Sequence, residues 1–300
     1  MQSYWQVDNG DTIQTIYQGD ALEVLRGLPS ESVHCCITSP PYWGLRDYGV
    51  EGQIGLKQTL QEYVEALVEV FREVRRVLRL DGTLWLNLGD SYAGSWGSAS
   101  GLKPKDLVGV PWRVAFALQA DGWYLRSDII WHKPNSMPES VTDRPTKAHE
   151  YIFLLAKSRR YYYDAEAIKE PLARPEELLR KTPAVFGGRN KHDGYRTRKH
   201  SGNEYVGTYT GRNKRSVWTV PTKPFPEAHF AVYPPALITP CILAGCPVGG
   251  TVLDPFAGSG TTLLVATQHH RKSIGIELNP EYIEIAKRRL NSVQLKLVME

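Results

Sequence analysis

Val252-Leu253-Asp254-Pro255-Phe256-Ala257-Gly258-Ser259-Gly260-Thr261-Thr262 is the stretch whose reading decides the fold. Thr251–Asp254 reads as a strand, residues 259–268 as a helix, and the Gly-rich turn joins them. A helix opening from such a turn presents unpaired backbone N–H groups to a ligand. Gly258 and Gly260 allow close backbone approach there, and Ser259, Thr261 and Thr262 add hydroxyls. A phosphate-binding P-loop would carry Lys before the Ser/Thr, and none is present. A dinucleotide fingerprint needs G-x-G-x-x-G, and this turn stops at Gly258-Ser259-Gly260. The next strand, Ser273–Glu277, ends in a carboxylate about 20 residues on, a position suited to bonding two ribose hydroxyls. A surface Glu before a helix is the plainer alternative.

Outward from this turn, strand-like and helix-like segments alternate, as in a parallel α/β sheet. Thr12–Tyr17, Val33–Thr38, Thr83–Leu88, Trp123–Trp131 and Glu150–Ala156 read as strands. Residues 59–79 are the clearest helix, with Leu60, Val64, Leu67, Val68, Phe71, Val74 and Leu78 at helical spacing. Thr59 and Glu62 form a capping box at its start, and Gly82 lies just beyond its end. Val110–Gln119 reads as a helix with Pro111 in its first turn, and Asn279-Pro280 opens the last helix.

Val33–Thr38 runs into Ser39-Pro40-Pro41-Tyr42. By itself this is a plain turn after a strand. It also suits transfer to an exocyclic amino group, whose lone pair is delocalised and whose N–H protons need acceptors as charge develops. Ser39 Oγ and the Pro40 carbonyl supply two acceptors. Pro40 and Pro41 lack N–H donors and fix the turn. Tyr42 offers an aromatic face for an extruded base.

The order of Thr38-Ser39-Pro40-Pro41-Tyr42 before Asp254–Thr262 resembles the amino-methylating (N4-cytosine/N6-adenine) DNA methyltransferases, in the permuted class where the catalytic motif comes first. The resemblance covers most of the chain, including DGTLWLNLGD from Asp81 and DIIWHKPN from Asp128. It implies a Rossmann-like α/β sheet, S-adenosyl-L-methionine as cofactor and direct methyl transfer to a flipped base in duplex DNA. It assigns the catalytic role to Ser39, Pro40, Pro41 and Tyr42. It assigns cofactor binding to Asp254, Phe256, Ala257, Gly258, Ser259, Gly260, Thr261, Thr262 and Glu277, and to Asp20 and Ala21 of Gly19-Asp20-Ala21-Leu22. Asp20 also reads as a helix N-cap, and both roles can hold together. Residues 224–237 match the segment that folds over the methionine end, with contacts at Ala228, His229 and Phe230. Ser in the first catalytic position goes more often with cytosine N4, and Asp or Asn with adenine N6. A cognate restriction endonuclease and a homodimer stay open.

Residues 157–217 match no family pattern and divide the chain into 1–156 and 218–300, the catalytic and cofactor-binding parts of one domain. The intervening segment holds about 15 Lys/Arg against about 7 Asp/Glu, while the whole chain is only +4. It reads either as a solvated loop or as a target recognition region. In the second reading Arg189, Lys191, Arg196, Arg198, Lys199, Arg212, Lys214 and Arg215 contact DNA.

The 300 residues, 42% hydrophobic and 23% charged, suit one large soluble domain with an insertion. Cys241 and Cys246 form a lone C-x4-C, too few ligands for a structural zinc, and Cys35-Cys36 reads as buried strand. Reduced thiols and a polar N-terminus point to a cytoplasmic protein, and no apolar run is long enough to span a membrane. Pro240-Cys241 precedes the cofactor strand, the wrong side for the nucleophile of a cytosine-C5 methyltransferase. A non-catalytic DNA-binding protein and an RNA or protein-glutamine methyltransferase are the remaining alternatives.

Overall fold

A computed structural model describes residues 4–8, 12–45, 47, 49–56, 58–94, 101–171, 211–223 and 232–297. Nine strands form one sheet in the order β1-β2-β9-β8-β3-β4-β6-β5-β7. They are β1 Trp5–Asp8, β2 Ile13–Gln18, β3 Val33–Thr38, β4 Leu78–Leu88, β5 Tyr124–His132, β6 His149–Ala156, β7 Val217–Thr219, β8 Thr251–Asp254 and β9 Lys272–Glu277. The expected α/β architecture is present, but the sheet is mixed. β2, β9, β8, β3 and β4 are parallel, whereas β6 runs antiparallel to both β4 and β5. β6 follows β5 after a loop of sixteen residues, 133–148, with no helix to carry the chain back across the sheet.

Alternation along each strand sends side chains into two layers. Cys36, Leu84, Leu86, Phe153 and Leu253 join the core under helices α1 Ala21–Gly27, α2 Leu60–Val77 and α3 Val110–Ala120. Cys35, Ile37, Trp85, Leu154 and Val252 join the opposite core, under α4 Pro235–Gly245 and α5 Thr261–Gln268. A smaller cluster seats α6 Pro280–Leu297 against α5 and β2. All four cysteines are buried and free.

α2 shows how sequence becomes element. The Thr59–Glu62 capping box forms in full, and eight of its side chains, Leu60 to Val77, are buried. Fully burying an aliphatic or aromatic side chain is worth about 1.5–3 kcal/mol, so packing dominates over the cap at about 1 kcal/mol. The helix stop signal read at Gly82 is a misreading. The helix ends at Val77 with Leu78 as its C-cap, and Gly82 lies inside β4, which begins at Leu78, well before the strand that periodicity suggests. β1 and α4 carry too little signal to be read from the sequence, and α1 shows there only its N-cap, Asp20. α1 and β1 are too short for a periodic pattern, and α4 is apolar on nearly every side. β7 escapes for a similar reason, being three residues long and following the basic segment.

β8 pairs with β3 through Cys35↔Val252 and Cys36↔Leu253, placing both quoted motifs at the carboxyl ends of adjacent parallel strands. Ligands bind in that crevice in open α/β sheets.

Candidate active site

A solvent-open cleft of about 860 Å³ lies at this edge. Its walls come from the ends of β2, β3, β8 and β9 and the turns that follow them. Asp20, Ala21, Ser39, Pro41, Phe256, Ala257, Gly258, Ser259, Thr261 and Glu277, all singled out in the sequence, line it. Asp20 also caps α1, accepting from Glu23 N at 3.0 Å, so the two readings of this residue coexist.

Glu277 accepts from Gly258 N at 2.7 Å and from Asn279 N at 2.8 Å, one bond to each oxygen. A carboxylate oxygen has a second lone pair, so both oxygens retain acceptor capacity toward the cleft. Burial raises the Glu277 carboxyl pKa above its ordinary value, and the two backbone N–H bonds oppose that rise.

The Gly-rich turn is held from α6. Arg289 donates to Ser259 O at 2.6 Å, Ser259 Oγ at 2.7 Å and Thr261 Oγ1 at 3.0 Å. Gly260 adopts φ +76°, and a Cβ there would stand 2.8 Å from the Ala286 Cβ. Its glycine therefore serves the backbone turn and the close approach of α6.

Asp254, Gly260 and Thr262, singled out in the sequence with the same turn, stand behind the lining of the cleft. Asp254 is 1% exposed, and its oxygens are occupied by protein donors. Thr38 Oγ1 at 2.7 Å and Phe256 N at 3.1 Å donate to Oδ1; Thr262 Oγ1 at 2.5 Å and Tyr233 Oη at 3.1 Å donate to Oδ2. Tyr233 Oη and Thr262 Oγ1 also lie within bonding distance of each other, and with one proton apiece only one of them donates to the carboxylate whenever the other's proton bridges the pair. Burial raises the Asp254 carboxyl pKa despite these four bonds. The Thr38 contact ties the strand of one motif directly to the carboxylate of the other.

In the turn Ser39-Pro40-Pro41-Tyr42, Tyr63 of α2 donates to the Pro41 carbonyl at 2.9 Å. Ser39 Oγ donates to Tyr42 Oη at 3.3 Å, and Tyr42 Oη donates to Glu150 Oε2 at 2.7 Å. Burial, then the nearby Glu150 charge, push the Tyr42 phenol well above its usual range. Among the described residues no donor reaches the Pro40 carbonyl. Pro40 and Tyr42 stand outside the cleft wall, Tyr42 with its ring against Gly89.

Sequence reading missed part of the cleft. Val50, Gly52, Gln53 and Ile54, on the loop after the Ser39–Tyr42 turn, line it, as do Leu278 and Tyr282, while Tyr233 lies in the segment 224–237 that the sequence did single out. The loop carries no periodicity to signal it. Asn87 and Lys133 sit inside the quoted stretches DGTLWLNLGD and DIIWHKPN, but nothing in those stretches assigned them a partner.

Of the expected DNA contacts, Arg189, Lys191, Arg196, Arg198 and Lys199 lie outside the described residues, as do Ala228, His229 and Phe230. Arg212 and Arg215 bond Glu170 at 3.2 and 3.0 Å, and Glu170 and Arg212 form a backbone bridge. Lys214 lies over the Trp218 ring at 5.0 Å. Arg212 and Arg215 therefore fasten the two ends of the segment 171–211 together, a use the charge count did not foresee, while Lys214 packs on its own side of it.

The family model described as DNA methylase, of the N6/N4 methyltransferase type, matches residues 33–288. The chain belongs to this DNA methylase family. It is 49% identical to the Type II methyltransferase M.Cfr9I of Citrobacter freundii, over 95% of this chain and 90% of that one. It is 50% identical to M.SmaI of Serratia marcescens, over 92% and 90%. In fold it is similar to the cytosine-N4-specific PvuII DNA methyltransferase, with TM-score 0.66, 21% identity and coverage of 92% and 86%. It is also similar to a Thermus thermophilus protein described as a DNA modification methylase, complexed with S-adenosyl-L-methionine: TM-score 0.60, 27% identity, 93% and 95% coverage. The methylase is thus an S-adenosyl-L-methionine-dependent enzyme of the amino-methylating type that acts on DNA. No described helix is long and apolar enough to cross a membrane.

Proposed function

We propose that this methylase transfers a methyl group to the N4 amino group of cytosine in duplex DNA, as a member of the permuted class. The observation that carries the reading is the acceptor geometry of the catalytic turn. Ser39 Oγ is committed as a donor to Tyr42, so its lone pairs remain for an incoming N–H, and the Pro40 carbonyl is a second acceptor. A hydroxyl and a carbonyl suit the two protons of an amino group. Ser in the first position supports cytosine, following the resemblance.

The cofactor fits the cleft. The carboxylates of Asp20 and Glu277 stand on neighbouring strand ends, where they would take the ribose hydroxyls. Phe256, Ile276, Leu278 and Tyr282 supply apolar walls suited to a purine. When bound, the cofactor supplies an electrophilic methyl group on a sulfonium. Ser39 and Pro40 orient the amino nitrogen and stabilise positive charge developing on it. Tyr42 fixes Ser39 and stacks on the extruded base. Residues 157–217 act as the target recognition region between the two parts of the catalytic domain, reading the site with Arg189, Lys191, Arg196, Arg198 and Lys199. A cognate restriction endonuclease completes the setting.

Mass spectrometry of nucleosides from plasmid expressed with the chain tests this reading. N4-methylcytosine is expected. N6-methyladenine alone would overturn the cytosine assignment and leave the acceptor geometry standing; 5-methylcytosine would overturn both.

A further inference from the structure

Behind Tyr42 lies a polar cluster that the chemistry above leaves unused. Tyr42 has one hydroxyl proton and two acceptors in reach, Glu150 Oε2 at 2.7 Å and Asn87 Oδ1 at 3.2 Å. Hydrogen bonds to an ionised acceptor are shorter and roughly twice as strong as neutral ones, so the proton goes to the carboxylate. That leaves the Tyr42 oxygen to accept from Ser39 Oγ. Asn87 Nδ2 donates to the same Glu150 oxygen at 3.2 Å and to the Tyr151 carbonyl at 3.0 Å. Lys133 Nζ, seated over the Trp131 ring at 4.3 Å, donates to Glu150 Oε1. With Lys133 on one oxygen, the other is held toward Tyr42. Ser39, Tyr42 and Glu150 form a chain in which every proton points the same way, toward the carboxylate. The end with unused lone pairs is Ser39.

Building on the assignment of Ser39 to the amino group, we propose that Glu150 is the terminal proton acceptor of methyl transfer, reached through Ser39 Oγ and Tyr42 Oη. The amino nitrogen forms its bond to the methyl carbon, the carbon–sulfur electron pair leaves with sulfur, and nitrogen is left with one proton too many. That proton passes to Ser39 Oγ, the Ser39 proton to Tyr42 Oη, and the Tyr42 proton to Glu150 Oε2. In sum one proton moves from nitrogen to a carboxylate, and neither hydroxyl retains a charge. A serine hydroxyl cannot hold a proton by itself, so the carboxylate missing from the catalytic turn is supplied by β6. The Glu150 side chain is 16% exposed, which lets the proton leave to solvent afterwards.

Two variants test the chain. Tyr42→Phe keeps the ring and cuts the relay; Glu150→Gln keeps the shape and removes the acceptor. Affinity for S-adenosyl-L-methionine by calorimetry and for duplex DNA by titration is expected to stay near wild type. The single-turnover methylation rate is expected to fall about 10²-fold or more in each variant, within the range of general acid–base catalysis. The double variant should fall no further, because both substitutions break one chain. In the cofactor-free protein, the Tyr42 hydroxyl proton should give a downfield resonance in proton NMR that is absent from Tyr42→Phe and displaced in Glu150→Gln. Wild-type rates in either single variant, losses that multiply in the double variant, or an unmoved resonance in Glu150→Gln would overturn the relay alone. A wild-type chain that methylates no DNA would overturn the reading of the turn as well.

Discussion

Gly89 follows β4 and faces the ring of Tyr42 at very short range. A Cβ built there would stand 2.6 Å from Tyr42 Cε2, 3.0 Å from Cδ2 and 3.4 Å from Cζ. The backbone at Gly89 is not in the left-handed region, so Gly89→Ala introduces a packing conflict and no φ strain. To restore ordinary contact near 3.4 Å the ring or β4 must recede by about 0.8 Å. That displacement is as large as the difference between the 2.7 Å bond from Tyr42 to Glu150 and no bond at all. Misplacing a catalytic group by about 1 Å can cost about 10²-fold in rate. Overpacking at a well-packed site costs about 1–3 kcal/mol of stability. Gly89→Ala is therefore expected to cut single-turnover methylation about 10- to 100-fold, to lower the urea midpoint modestly, and to leave cofactor affinity unchanged. Rapid-quench transfer of a labelled methyl group, urea unfolding and calorimetry measure the three. A variant that transfers at the wild-type rate would show that the position of Tyr42 does not limit the reaction.

Asp20→Ala and Glu277→Ala should each weaken S-adenosyl-L-methionine binding by about 1–3 kcal/mol in calorimetry, the cost of removing a bond to a polar ligand; wild-type affinity for both would remove them from the cofactor site. Asp254→Asn separates charge from shape, because the hydroxyls of Thr262 and Tyr233 can turn to accept from an amide. The folded pKa of Asp254 is raised, so its contribution to stability is complete below the unfolded value near 4 and is lost as pH rises through the folded value. Urea unfolding should show wild type losing stability relative to Asp254→Asn as pH increases; a difference independent of pH would refute the raised pKa. Neutralising Arg196, Arg198 and Lys199 together should weaken duplex DNA binding and flatten its salt dependence, by about 0.9 in log–log slope for each phosphate no longer neutralised. An unchanged slope would make the segment a solvated loop.

Much of the framework was legible because it rests on local signals. The capping box at Thr59–Glu62, the apolar spacing of α2 and the asparagine at the mouth of α6 all act within a few residues, and all appear where the chain predicts them. The end of α2 was not legible, since Gly82 is an equally good sequence signal for a helix stop and for a tight place inside a strand. Its Cβ position is crowded to 3.0 Å by Arg79 O and Leu78 Cδ2, a fact of the finished fold. The direction of β6 was likewise hidden. A strand sequence carries no record of parallel or antiparallel pairing, only the length of the connection that precedes it.

Asp254 and Glu277 show the same limit at the site itself. Both are acidic residues ending parallel strands of one sheet, and both read as cofactor ligands in the sequence. They differ in what long-range neighbours provide. Hydroxyls from Thr38, Tyr233 and Thr262 converge on Asp254 from three separate parts of the chain, and together with Phe256 N they occupy its carboxylate inside the protein. Glu277 meets backbone N–H groups of its own turn and the adjoining one, Asn279 and Gly258, and keeps a face to the cleft. A carboxylate surrounded by rotatable hydroxyls is tied into the protein, here joining β3 to the Gly-rich turn after β8. One held by fixed backbone donors keeps lone pairs directed outward and can serve a ligand. Partners as far as 216 residues away along the chain decide between these fates, so the chemistry of the residue was readable in the sequence while its task was set by the sheet.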